Sequence, residues 1–201
     1  MQTQTFLHTQ QNPHYNYDDA KEHTVVFLIH DTQCHMTIDL TAPETKCHIK
    51  ILVVDNQESK STLDLQVNLL ADKTFADITI INLLADKAHS HIDANIHIAK
   101  NTQDAEGHLH EDIVILWESV HIHTTPQLDI HANQVKASHG AAIHRIDGNN
   151  LFYLSSKWLS RSQAEKLLVD WYIDQICNTV AQDTQQTYKD TVHAVLYATT
   201  G

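Results

Sequence analysis

Three His-x-His pairs, His89 with His91, His108 with His110 and His121 with His123, are the residues best placed to do chemistry. Alternate side chains of a strand share a face, so each pair presents two imidazoles together, a spacing able to chelate Zn, Ni or Cu. The neighbouring Ile92, Leu109 and Ile122 claim the opposite face, which turns the imidazoles outward beside Asp93 and His97. One reading is a solvated, imidazole-rich face; the other is a β-solenoid binding divalent metal on outward imidazole rows. Histidine reaches 17 of 201 residues, and because an unperturbed imidazole titrates near pH 6.5, the charge swings steeply below neutrality.

Other catalytic patterns fall away. The stretch GHLHED at 107–112 invites a cupin reading, but Val114 and Ile115 stand where that fold needs a Glu. HExxH and GxSxG are absent, and glycines 107, 140, 148 and 201 are too dispersed to build a phosphate-cradling loop. Cys34, Cys47 and Cys177 are odd in number and far apart, which writes neither a disulfide framework nor a metal knuckle. Cys34 and Cys47 keep the phase of Met36 and Ile38 and of Ile49 and Ile51, as buried small hydrophobes do. Thirteen Lys and Arg against 25 Asp and Glu give a net charge of −12, which argues against nucleic acid and anionic membrane partners. The start, MQTQTFLHTQQNP, lacks a basic segment followed by an apolar run, so a soluble cytoplasmic protein is expected. These features describe a scaffold, not an enzyme.

The elements that must position these residues are mostly strands. Leu63, Leu65, Val67 and Leu69 alternate with Asp64, Gln66 and Asn68; Ile92, Ala94, Ile96 and Ile98 alternate with Asp93, Asn95 and His97. Period two means half-buried strands. Further apolar runs at 25–30, 47–54, 75–84 and 113–117 complete an all-β region that predicts a sandwich, barrel or solenoid. NLLADK occurs at Asn68–Lys73 and again at Asn82–Lys87, and with so few Gly and Pro for tight hairpins this favours stacked coils. Residues 1–22 read as a polar arm or cap, 23–148 as the β core and 149–201 as a helical region. A first helix is placed from about Ser162, through a capping box of Ser162 and Glu165, with Ala164, Leu167, Leu168, Trp171, Tyr172 and Ile176 as its apolar stripe. A second is placed from about Asp183 to Ala198.

Residues 126–169 resemble the carboxy-terminal signature of the SufB/SufD family, its SufD branch above all. The matching features are Pro126-Gln127-Leu128-Asp129-Ile130, Val135-Lys136, Ser138-His139-Gly140-Ala141, Ile146-Asp147, Leu151-Phe152-Tyr153-Leu154 and the helix containing Ala164, Leu167 and Leu168. Residues 96–119 resemble the coils that precede this signature. The resemblance implies a right-handed parallel β-helix followed by helices, paired with a SufB-like or identical β-helix subunit and docked to a SufC-like ABC-type ATPase. It also implies a transient iron-sulfur cluster at the subunit interface, with His139 as the cluster-site residue and none held tightly by the isolated chain.

Partner contact is expected at Leu154, Lys157, Trp158, Leu167, Leu168 and Trp171. The family's usual helical region before the β-helix has no counterpart here. Val120 stands where SufB-type chains carry Cys, Gly140 where they carry Glu, Ala137 replaces a common Cys, and Ser155-Ser156-Lys157-Trp158 replaces the usual Arg-Ser-Arg-Gly. The metal-binding alternative rests instead on His108, His110, His121 and His123.

Overall fold

The computed structural model describes residues 2–7, 11–117, 119–146 and 158–197. Eleven strands run in order among them: β1 (Gln2–Leu7), β2 (His14–Tyr17), β3 (Glu22–Ile29), β4 (Gln33–Leu40), β5 (Lys46–Asp55), β6 (Lys60–Leu69), β7 (Phe75–Leu84), β8 (His89–Ile98), β9 (Gln103–Ile115), β10 (His121–Ile130) and β11 (Gln134–Arg145). Helices α1 (Arg161–Cys177) and α2 (Gln182–Leu196) follow. The odd strands form one six-stranded sheet and the even strands a five-stranded sheet, every pairing parallel, so the chain winds from sheet to sheet as a β-solenoid. The first 22 residues contribute its first rungs, β1 beside β3 and β2 beside β4.

Met36 pairs with Leu65 and Ile49 with Ile78, so one coil here takes 29 residues. The two copies of NLLADK lie fourteen residues apart, about half of that. Each copy runs out of a strand into a corner, and the corners turn on left-handed residues that are not glycine: Glu44, Gln57, Lys73 and Asn101 have φ of 63°, 59°, 56° and 73°. A solenoid corner thus needs little of the glycine that hairpins use.

Two apolar cores form. The first fills the space between the sheets with Val25, Phe27, Met36, Ile38, Ile49, Ile51, Leu65 and their neighbours. The second lies on the outer face of the six-stranded sheet, where Val26, Leu28, Leu52, Val54, Ile81 and Leu83 meet Val169, Ile173 and Ile176 of α1 and Tyr188, Val192 and Leu196 of α2. Polar ties fix the helices there. The buried Tyr188 hydroxyl donates to the Val26 carbonyl (3.2 Å), Lys50 Nζ donates to Asn178 Oδ1 (2.6 Å), and Asn56 Nδ2 donates to the Leu196 carbonyl at the end of α2 (2.8 Å). No helix among the described residues is long and apolar enough to cross a membrane.

Two sequence expectations change. α1 is capped two residues earlier than read, since Ser160 caps it by accepting from Gln163 N while the Gln163 side chain accepts from Ser160 N. Its buried face is Ala164, Val169, Ile173, Ile176 and Cys177, leaving Leu167 and Trp171 more than half exposed. Apolar residues surround this helix almost completely, so periodicity alone selects no face; the sheet accepts the small and β-branched side. Gly140, beside His139, lies inside β11 without positive φ.

Candidate functional site at the open end of the solenoid

The last two strands differ from those before them: neither β10 nor β11 contains a buried residue. Register explains what their side chains do. Thr124 lies opposite Ile92, Leu128 opposite Ile96, Ala137 opposite Gly107 and His139 opposite Leu109, and each of those partners is buried inside the solenoid. Side chains in register on neighbouring strands share a face, so these residues take the inward phase at the final coil. No later coil stacks on them among the described residues. Ile130 and Ile143 are 41% and 66% exposed for the same reason, and the mouth is apolar with His139 set among alanines.

Beneath it lies a group that sequence reading passed over. Glu111, 1% exposed, holds the inward phase between Leu109 and Ile113, where every neighbouring coil supplies an apolar residue. The Thr124 hydroxyl donates to Glu111 Oε2, while Oε1 is buried without a partner. Burial pushes the Glu111 carboxyl above its ordinary value, opposed by the Thr124 hydrogen bond and the charge of His139. A charge interrupting the apolar phase of its strand was the legible signal, obscured by testing GHLHED only for cupin spacing. An imidazole at the mouth and a buried carboxyl with one unpartnered oxygen are not a nucleophile with a positioned base.

The cysteines lie inside the fold. All three are buried and none forms a disulfide; burial pushes the Cys47 and Cys177 thiols up to about 12, so both stay protonated at neutral pH.

The outward histidines are organised across strands more than along them. His121 stacks on His89 and His123 on His91, each with ring centroids 4.5 Å apart. His108 Nδ1 lies 2.8 Å from Ser138 Oγ, and His110 Nε2 lies 3.2 Å from Asp112 Oδ2, an aspartate shared with His144. Among the described residues, the groups that bring three ligand atoms together are His91, Asp93 and His123, and His97, Asp129 and His131; neither contains His108 or His110.

The expected partner contacts divide as well. Leu154 and Lys157 lie outside the described residues. Trp158 is 97% exposed with φ 66°, Leu167 and Trp171 share one outward face of α1 a turn apart, and Leu168 is half-buried.

Residues 3–171 match the family model described as SUF system FeS cluster assembly, SufBD core domain. The iron-sulfur cluster assembly protein SufD of Escherichia coli is 29% identical over 87 residues, which is 43% of this chain and 21% of that protein. SufD of Bacillus subtilis is 24% identical over 148 residues, 74% of this chain and 34% of that protein. An iron-sulfur cluster assembly SufBD family protein of Archaeoglobus fulgidus is 31% identical over 96 residues, 48% of this chain and 26% of that protein. The matches thus span between about a fifth and a third of these relatives' lengths.

Proposed function

This chain belongs to the SufBD family of iron-sulfur cluster assembly proteins, and on that premise we propose that it is a non-catalytic scaffold subunit, SufD-like in role. It pairs through its open end with a SufB-like chain or a second copy of itself and docks a SufC-like ATPase through its helices. The observation that carries this reading is the uncovered final coil: inward-phase residues of β10 and β11, His139 among them, stand exposed at a solenoid end. Parallel strand edges left open in this way accept a further sheet. A partner there would close the apolar mouth over His139 and Glu111, and could add the thiolate that this chain's buried cysteines do not offer. The nascent cluster is cargo at that seam, ligated by nitrogen and sulfur together, a combination sound for iron-sulfur centres.

For the ATPase, Leu167 and Trp171 are the chosen contact because they are apolar, exposed and dispensable to the core under α1. The test mixes the full chain with purified SufB-type and SufC-type proteins of the same genome and follows assembly by analytical ultracentrifugation. Ile143→Asp should abolish pairing with the β-helix partner, and Leu167→Glu with Trp171→Ala should abolish ATPase binding alone. A wild-type chain that joins neither protein contradicts the reading.

A further inference from the structure

On the outer face of the five-stranded sheet, β8 and β10 lie side by side with His121 opposite His89 and His123 opposite His91. Asp93 follows two residues after His91 on the same face. His91 Nε2 is 2.9 Å from Asp93 Oδ2, and the His123 ring lies stacked over His91 at an interplanar angle of 21°. One ligand atom from each of His91, Asp93 and His123 falls within 4.8 Å of the other two. Bonds of about 2.0–2.2 Å from such nitrogens and oxygens to one ion require donors nearer to one another than that, which small rotations of half-exposed side chains supply. His91 and His123 border a depression that His89, His121, Lys60 and Ile122 also line.

Histidine beside aspartate is common on this protein, so proximity alone decides nothing. His97, Asp129 and His131 show the ordinary arrangement: His97 takes Asp129 Oδ2 at 2.7 Å, His131 takes Oδ1 at 2.9 Å, and the rings tilt 55° apart. There each imidazole has its own carboxylate oxygen and the aspartate is saturated by two ion pairs. At His91 and His123 the carboxylate serves one ring and the Thr125 hydroxyl. His123 Nε2 lies 3.1 Å from that same hydroxyl, and the two imidazoles stack face to face beside the one carboxylate.

We propose that His91, Asp93 and His123 form a binding site for a first-row divalent transition ion. Two imidazoles and one carboxylate leave further positions open to water or an incoming ligand and suit Fe(II), Co(II), Ni(II) or Zn(II) over the harder Mg2+ and Ca2+. The site faces outward on β8 and β10 and takes no residue from a partner subunit, so it stands apart from the scaffold reading.

The test titrates metal-free full-length chain with Co2+, following d–d absorbance and heat of binding. Wild type should bind saturably. His91→Gln with His123→Gln should weaken binding by at least the about 10- to 100-fold that losing even a supporting partner of a ligand costs, whereas His97→Gln with His131→Gln should leave the affinity unchanged. Asp93→Asn is the second variant, expected to weaken binding by at least tenfold while conserving shape. Absence of Co2+ binding by wild type, undiminished binding by the His91 and His123 variant, or equal losses in both histidine variants overturns the proposal. Assembly with the SufB-type and SufC-type proteins, measured separately, reports on the scaffold reading and not on this site.

Discussion

The two sheets wind together in one solenoid yet are written in different codes. β4, β6 and β8 alternate strictly, with Met36, Leu65 and Ile96 inward and His35, Asp64 and His97 outward, because only one of their faces is covered. β3, β5 and β7 end in runs such as ILVV and IINLL that are buried on both faces, since α1 and α2 lie over their outer side. Even the same hexapeptide obeys this difference. In Asn68–Lys73, leaving the five-stranded sheet, Leu70 is 41% exposed; in Asn82–Lys87, leaving the six-stranded sheet, Asn82, Leu83, Leu84 and Ala85 are all buried. What covers a strand, not its local sequence, decides what its outward side chains contribute.

Substitutions on the covered face should therefore be costly and those on the wet face nearly silent. Ile173→Ala, which empties a fully buried contact between α1 and the sheet, should cost about 2–5 kcal/mol in urea unfolding. His35→Ala, outward on β4 and paired only with exposed Asp64, should cost less than about 0.5 kcal/mol. Similar values for the two would erase the distinction between the sheets.

A somewhat smaller loss, about 2–3 kcal/mol, is expected from Asp55→Ala at the corner that closes β5. Asp55 is fully buried, and its Oδ1 accepts from Asp31 N (3.2 Å), Ser59 Oγ (3.1 Å) and Ser61 Oγ (2.9 Å). Removing it orphans the buried Ser61 hydroxyl and frees the less buried Asp31 and Ser59 donors, and neighbouring Asn56, which holds the end of α2, should loosen with it. Hydrogen exchange that stays unchanged in α2 would show that corner and helix are independent.

The smallest effect runs in the opposite direction. Glu111 has a raised value in the folded chain, so the fold holds that proton more tightly than the unfolded chain does. Stability is then lost as pH rises from the ordinary value of 4.5 through the raised one, where the unfolded chain ionises first. Glu111→Gln removes this penalty and should stabilise the protein by about 1 kcal/mol at pH 7, with the gain shrinking below pH 4.5. A uniform loss at all pH values would mean that Glu111 is a structural residue of the mouth, not one retained at a cost to stability.

Much of the fold was legible because period two survives wherever one face is wet. The strands at Leu63–Leu69 and Ile92–Ile98 and the continuous run at 47–54 fall inside observed strands, and the run at 25–30 passes the end of its strand by one residue. The choice of a solenoid came from the repeat and the scarcity of glycine, both physically tied to corners that use Glu44, Gln57 and Lys73 in left-handed conformations. The face of α1 was misread because a helix apolar on nearly every side gives no moment to follow. The outward histidine pairs were read along a strand, whereas parallel register joins His91 to His123 across strands, a relation that no local window contains. Glu111 was missed for a similar reason: its neighbours in space, Thr124 and His139, lie far along the chain.

The central claim is that the open end holding His139 and Glu111 is where the cluster is assembled. Iron and acid-labile sulfide per reconstituted complex with SufB-type and SufC-type partners, for wild type against His139→Ala, test it most directly. The account predicts normal complex formation and thermal stability with cluster content about 10- to 100-fold lower in the variant, as losing a ligand or its support does. Undiminished iron and sulfide in a normally assembled His139→Ala complex would contradict it.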